Sequence, residues 1–475
     1  MATSVSVKMY KMGELGDCFL LSIKHEDTLK HMLIDCGSFR NGEESKERIR
    51  KIVADIQDKV KSNGLDIVVA THQHNDHISG FVHAEDMFEQ IGIDQVWLSW
   101  LDNPRNKQAS RIEENHLNLR NQLSEASQKL AELAKTKTGR LASNQTALKM
   151  HATHQLIDDV MGFFGAAPKL PAQGIKILKS IGEKPVKYLS PGELKQIPGI
   201  PLSAIRVHVL GPPKDEDLLY RKDPRKDESY DHKLHSLNMM AFHFLRALNN
   251  KTSSLDKEEE QFPFNASFKV QLSQSRQFSK AMSKVDSVYK SRHNAWRNID
   301  NDWLDQAARL ALYMDTFTNN SSLVLAIELV KSGKVLLFAG DAQIGNWLSW
   351  EDIKFKDKNT TTESLLSRTA LYKVGHHGSH NSTLKDAFEK MTSDELVAMI
   401  PVDKSDPNIS KTNGWKMPAQ NLFQRLKEKT DNRVLRMDEG FAEGCNPKGD
   451  KEVKNAWSKV GEVKITPLFV EYIVE

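Results

Sequence analysis

Two apolar runs of strand length, FLLSI (19–23) and HMLID (31–35), flank the polar stretch HEDTLK near the start of the chain. Such a pair reads as a strand hairpin within residues 5–37. Ile49, Ile52, Val53, Ile56 and Val60 then recur at helical spacing, predicting a helix over about 45–62 that stops before Gly64. LDIVVAT (65–71) reads as a short buried strand. AIRVHVLGPP (204–213), LYKVG (371–375) and ELVAMIPV (395–402) read as further strands, and SLVLAIEL (322–329), KSGK and VLLFAGD (335–341) as a β-hairpin. PAQNLFQRLKEK (418–429) reads as a helix with proline at its start. Strands and helices in this succession imply a layered α/β fold.

Two polar stretches, 101–180 and 214–316, interrupt the pattern and read as mainly helical inserts in one domain spanning 1–475. In the first, Ile112, His116, Leu119, Leu123, Ala126, Leu130 and Leu133 form a heptad seam. It suits either a helical hairpin leaning on the body or a contact with a protein partner or a second copy. In the second, Arg276, Lys280, Lys284, Lys290, Arg292 and Arg297 surround Tyr289 and Trp296. That composition suits either a nucleic-acid contact or a solvated helix face.

Composition narrows the classes. With 39% hydrophobic and 27% charged residues the chain is globular rather than disordered. No run approaches the ~18 apolar residues of a membrane helix, so no membrane partner is expected. No basic segment followed by an apolar stretch opens the chain, and three cysteines (Cys18, Cys36, Cys445) make no disulfide framework. Both features lead us to expect a cytoplasmic location. A net charge of +3 excludes a basic surface spread over the whole protein, but a local basic groove would suffice for a polyanion.

Histidine placement changes the picture most. Seventeen histidines in 475 residues would put fewer than one in the eleven positions 72–77 and 376–380, which hold six. The first cluster, Thr71-His72-Gln73-His74-Asn75-Asp76-His77, follows a buried strand directly. Its spacings divide between two adjacent ions, His72 and His74 on one, Asp76 and His77 on the other; zinc accepts such nitrogen and carboxylate ligands, and paired catalytic metals are common. Asp341 ends an apolar strand after glycine, which suits a site at the strand ends better than a core. His376 and His377 also follow a strand, so one can face the metals, His377 for preference, and the other a substrate. Asp17 and Asp35 read either as turn carboxylates or as groups supporting the metal ligands. His116 and His208 read as structural.

The cluster His72-x-His74-x-Asp76-His77 after a strand resembles the signature of the metallo-β-lactamase superfamily. Gly13-Glu14-Leu15-Gly16-Asp17-Cys18 and Leu33-Ile34-Asp35-Cys36-Gly37 resemble its opening hairpin, and Phe338-Ala339-Gly340-Asp341 the strand whose aspartate bridges two metals. Tyr372-Lys373-Val374-Gly375-His376-His377-Gly378-Ser379, with Asn319-Asn320-Ser321-Ser322 upstream, is most similar to the hydrolase domain of the DNA-uptake protein ComEC and its soluble relatives. The resemblance covers the α/β core and neither insert. It implies a four-layer αββα sandwich holding two divalent ions, zinc or manganese, which activate a hydroxide oriented by Asp76 or Asp341. His376, His377, Asn320, Lys373 and Ser379 are then expected to contact substrate or leaving group. Two departures stand out. Val209-Leu210-Gly211-Pro212-Pro213 carries no histidine at the strand end where many relatives place a third ligand of the first metal, an absence shared with the ComEC branch. Met417 stands before Pro418 where a histidine is expected.

Three readings follow. The resemblance favours a phosphodiesterase or nuclease acting on DNA, RNA or a nucleotide phosphodiester. An ester, thioester or lactone hydrolase would use the same ions, because fold alone does not fix substrate. A non-catalytic metal-binding interaction module is the third.

Overall fold

The computed structural model describes residues 3–138, 145–162, 170–221, 280–289, 291, 293, 302–411 and 414–475. Its strands run β1 (Thr3–Tyr10), β2 (Cys18–His25), β3 (Thr28–Cys36), β4 (Leu65–Val69), β5 (Ile93–Ser99) and β6 (Lys187–Leu189). The middle of the chain gives β7 (Leu194–Lys195), β8 (Ile205–Gly211), β9 (Val324–Leu329) and β10 (Val335–Phe338). β11 (Thr369–Lys373), β12 (Val397–Ile400), β13 (Val434–Arg436), β14 (Gly440–Phe441), β15 (Val463–Ile465) and β16 (Phe469–Val474) complete the set. They form two eight-stranded mixed sheets, ordered β15-β16-β1-β2-β3-β4-β5-β6 and β14-β13-β12-β11-β10-β9-β8-β7.

Period-two alternation explains the packing. Leu336 and Phe338 of β10 join an apolar cluster that includes Val7, Leu21 and Val68 of the first sheet, while Val335 and Leu337 join another with Trp347, Trp350 and Phe388. Phe19 of β2 meets Phe338 edge-on, with ring centroids 5.9 Å apart. Each large apolar side chain buried this way contributes about 1.5–3 kcal/mol. Helix α1 (Glu43–Val60) buries the five expected residues, Ile49, Ile52, Val53, Ile56 and Val60, in the first cluster.

Strands β3, β4, β5 and β6 are parallel, as are β10, β11, β12 and β13. Their carboxyl ends therefore open onto loops where ligand-binding residues gather in many α/β proteins. Both histidine clusters and Asp341 lie on such loops.

The chain divides into two compact units, one of residues 1–116, 160–233 and 313–475 and one of 117–159 and 234–312. The second unit thus draws on both expected inserts but leaves out the ends of each. Helix Leu170–Ile181 belongs to the first unit, where Gly174 lies against the Ile78 carbonyl. Within the second unit Leu119, Leu123 and Ile157 are buried, and Ser127 Oγ lies 2.9 Å from His154 Nδ1. The side chains of Ala126, Leu130 and Leu133 lie outside the described residues, as do those of Arg276, Lys280, Tyr289, Lys290, Arg292, Trp296 and Arg297; Lys284 is exposed. The helix expected at 418–429 spans Gln420–Lys429 with Ala419 as its cap, so Pro418 precedes it. Among the described residues, no helix is long and apolar enough to cross a membrane.

His208, inside β8, is buried with Nε2 2.9 Å from Glu328 Oε2, and Arg368 donates to Glu328 Oε1 at 2.7 Å. The His208 hydrogen bond, with Arg368, holds the Glu328 pKa down to about 2 against partial burial. A depressed carboxylate pKa stabilises the fold above the ordinary value and loses that contribution as pH falls through the folded one. The stability gap between wild type and Glu328→Gln in urea titrations should therefore be full above pH 4.5 and close between 4.5 and 2. A gap independent of pH over that window would refute this account.

Candidate metal centre

The first histidine cluster sits where β4 turns into helix α2 (Asn75–His83). His74 caps the helix in an extended conformation, which places Asp76 and His77 in the first turn. That turn can approach the β3 loop so closely only because residue 37 is glycine: a Cβ there would lie 2.5 Å from the Asp76 carbonyl carbon and the His77 nitrogen. Asp17 N donates to Asp76 O at 2.9 Å, fastening the 13–17 loop to the same turn. From the second sheet, Asp341 follows Gly340, whose φ of +55° glycine adopts freely.

Four of the expected residues converge. One ligand atom from each of Asp76, His77, Asp341 and His377 lies within 4.8 Å of the others, and all four side chains are buried. Asp341 Oδ2 stands 3.2 Å from His77 Nε2 and 3.6 Å from His377 Nε2, and His377 Nε2 is 2.9 Å from Asp76 Oδ2. His72 and His74 fall beside this quartet, with His72 Nε2 3.1 Å from His74 Nδ1.

The remaining ring nitrogens are tied from behind. His77 Nδ1 lies 2.8 Å from Asp35 Oδ2, and His377 Nδ1 lies 2.7 Å from the Pro401 carbonyl oxygen. His72 Nδ1 is 3.1 Å from Thr71 Oγ1 and 3.3 Å from Ser322 Oγ. Asp35, held in the left-handed region at φ 56°, also accepts from the Thr71 N–H and Oγ1–H, each at 2.7 Å. Tethers of this kind fix the tautomer and aim the free nitrogen, as they do for histidines that bind metals. Thr71, Ser322 and the Pro401 carbonyl were not singled out by the sequence. Thr71 and Ser322 do fall inside its quoted motifs, whereas a backbone carbonyl has no sequence signal.

Burial works against protonation of His77, yet Asp341, Asp35, Asp17 and Asp76 outweigh it and hold its pKa well above the usual value. His377 is likewise raised, to about 9, by Asp341, Asp76 and Asp17 acting against burial. Burial and neighbouring positive rings push His74 down to about 3, and burial pushes His376 to about 4. Burial opposes ionisation of Asp341, but His77, His377 and Lys373 hold it well below the usual carboxylate range. Positive charge is thus favoured inside the quartet.

Orphaned atoms provide a direct test of fit. Asp76 Oδ1, His77 Nε2 and Asp341 Oδ2 are buried with no hydrogen-bond partner. Two carboxylate oxygens and an imidazole nitrogen, with His377 Nε2 beside them, are a donor set suited to zinc or another divalent ion. The quartet could hold a metal ion. A second group, Asp17, Asp35 and His77, is also close enough to ligate. There His77 Nδ1 contacts Asp35 Oδ2 and the Lys373 ammonium pairs with Asp17 Oδ2, while both Asp17 oxygens lack a hydrogen-bond partner.

Three residues expected to contact substrate have partners within the chain. Lys373 is buried, its Nζ 2.5 Å from Asp17 Oδ2, 2.7 Å from the Gly340 carbonyl and 3.3 Å from Asp341 Oδ1. It ties Asp341 to Asp17. Asn320 donates to the carbonyls of Leu219 and Arg221 at 3.1 and 3.0 Å and accepts from the Asn346 N–H at 3.0 Å, so its amide is spent on backbone. Ser379 lies 2.8 Å from His376 Nδ1, and His376 stands outside the quartet beside Asn319 and Gln343.

Removing a group that orients a metal ligand typically costs about 10- to 100-fold in metal affinity. Asp35→Ala should show that loss in competitive chelator titrations while circular dichroism stays unchanged; unaltered affinity would refute the orienting role. Gly37→Ala should weaken binding as well, because its Cβ displaces the turn that carries Asp76 and His77. Set beside known proteins, the chain is matched by no protein-family model, and no curated protein is significantly similar to it.

Proposed function

We propose that the chain is a metal-dependent hydrolase of the metallo-β-lactamase fold, most similar to the ComEC hydrolase domain, and that it cleaves phosphodiesters. The observation that carries this reading is the buried quartet Asp76, His77, Asp341 and His377, assembled from loops of both sheets with three ligand atoms lacking any hydrogen bond. Two facing mixed sheets with helices packed on them are compatible with the αββα sandwich of that superfamily. The 3.1 Å approach of His72 Nε2 to His74 Nδ1 supports a second, neighbouring ion, zinc or manganese.

When bound, divalent ions supply Lewis acidity and make water more acidic at the site. The chain's own residues do the rest. Asp341 offers Oδ2 to the quartet while Lys373 and the His376 N–H hold Oδ1. Asp35 and the Pro401 carbonyl keep His77 and His377 turned with Nε2 inward. Burial of these groups strengthens every charge interaction with a developing oxyanion. DNA, RNA or a nucleotide phosphodiester is the substrate class, with the helical inserts as the place for a protein partner or second copy.

The test uses metal-loaded protein with plasmid, single-stranded DNA, RNA, bis-p-nitrophenyl phosphate and p-nitrophenyl acetate. Wild type should cleave a phosphodiester in a metal-dependent way, and Asp76→Ala should lose at least about 100-fold, the scale of removing one group that stabilises transition-state charge. Turnover of the acetate alone would overturn the phosphodiesterase reading. A protein that retains no metal by elemental analysis would overturn the metal centre itself.

A further inference from the structure

Four imidazoles face the centre, and three of them are backed by groups close to the two histidine clusters or at the neighbouring strand ends. Asp35 stands behind His77, the Pro401 carbonyl behind His377, and Thr71 with Ser322 behind His72. His74 is different. It turns Nδ1 toward His72 Nε2, 3.1 Å away, and its other nitrogen, Nε2, lies 3.9 Å from Asp315 Oδ1. The His74 side chain is 1% exposed and that of Asp315 16%, so a charge interaction between them is little screened by salt.

The chain around Asp315 fixes its place. It stands in the last two turns of the helix Asp302–Asn320, four residues before Asn319, whose amide donates to Asp315 Oδ2 at 3.2 Å. That spacing puts both side chains on one helix face. Oδ1 is the oxygen turned to His74. The end of the helix is fastened in turn. Asn320 donates to the Leu219 and Arg221 carbonyls, and the Leu323 N–H donates to the Thr71 carbonyl at 2.8 Å, next to His72. One short segment thus reaches the 71–74 loop three times, through Asp315, Ser322 and Leu323.

Two nitrogens bound to one zinc at about 2.0–2.1 Å in a tetrahedral arrangement stand about 3.3 Å apart. The His72–His74 separation of 3.1 Å is close to that. A carboxylate behind a ligating imidazole fixes the orientation of the ring and raises the basicity of the nitrogen that binds. Because the two nitrogens of an imidazole point in divergent directions, a carboxylate at Nε2 does not reach an ion on Nδ1 as a ligand. We propose that Asp315 is the positioning residue of a second metal site, holding His74 with Nδ1 toward His72 and raising the affinity of that pair for a divalent cation. Asp315 belongs to the stretch 214–316, outside the metallo-β-lactamase resemblance, so that stretch helps to build the centre. The assignment rests on the two-ion reading and not on the choice of a phosphodiester substrate.

Calorimetric titration of the chelator-stripped full chain with zinc, checked by elemental analysis, tests this without requiring turnover. Wild type should take up two ions. His74→Ala should weaken or abolish one of the two binding steps and thereby identify it. Asp315→Asn should weaken that same step by about 10- to 100-fold, the usual loss when a group orienting a metal ligand is removed. The other step should stay unchanged, which also shows that the variant is folded. In the His74→Ala protein, adding Asp315→Asn should change neither step further. Uptake of a single ion by wild type would overturn the second ion and this assignment with it, whether or not the protein is a hydrolase. Two ions with both steps unaltered by Asp315→Asn, both weakened equally, or a further loss in the His74→Ala protein would overturn the assignment alone and leave the two-ion reading standing.

Discussion

Four carboxylates, Asp17, Asp35, Asp76 and Asp341, are buried at the junction of the two sheets, and the rest of the centre is arranged around their charge. An isolated buried ion costs several kcal/mol even after relaxation, so such a cluster survives only if positive charge is brought to it. Lys373 supplies one charge and sits between Asp17 and Asp341. Burial pushes the Asp17 pKa up against that pairing, and the carboxylates around them hold protons on His77 and His377. These are the two imidazoles of the quartet. A cation entering there would replace the protons and satisfy the same field. Binding would release protons and strengthen as the imidazoles become neutral, the coupling expected of any histidine-containing metal site.

This charge requirement accounts for several local features that would otherwise be unfavourable. Asp35 occupies the left-handed region, yet its two oxygens take three hydrogen bonds, from the Thr71 amide, the Thr71 hydroxyl and His77. Gly37 and Gly340 remove the side chains that would hold the two halves of the centre apart. The parallel strands β3, β4, β10, β11 and β12 supply the platform, because their carboxyl ends bring Asp35, the 72–77 loop, Asp341, the two histidines and the Pro401 carbonyl to one edge. Nothing in this arrangement needs a long mobile loop to close.

The elements most visible in the sequence were those with a single unbroken period. Helix α1, strands β2, β3 and β4 and the β9–β10 hairpin stand within a few residues of where the apolar spacing puts them. The short edge strands β6, β7, β14 and β15 escaped notice because two or three residues carry no period. β5, IDQVWLS, has a short apolar run at the border of a polar stretch, where strand and helix periods are hard to tell apart. At the site, residue types were legible and contacts were not. Lys373 and Asn320 have the chemistry of substrate-binding groups, but burial assigns them to an ion pair and to backbone bonds, and burial depends on strands far away in sequence. Likewise the spacing of the first cluster divides its ligands sensibly, while their partners Asp341 and His377 come from the opposite sheet.

The adjacent pair His376-His377 shows why backbone conformation matters as much as ligand identity. In an extended strand two successive side chains point to opposite faces, and in a right-handed helix they diverge by about 100°. The left-handed turn likewise separates the rings: His377 enters the quartet with Nε2 3.6 Å from Asp341 Oδ2, while His376 meets Asp341 through its backbone N–H, 3.1 Å from Oδ1. One carboxylate thereby fixes a ligand imidazole with one oxygen and, with the other, the backbone that carries the second imidazole. The His376 ring is then free to be positioned independently by Ser379 and Asn381. A shift of the turn would move both rings together, so the chemistry of the quartet and whatever His376 contacts are mechanically coupled through Asp341.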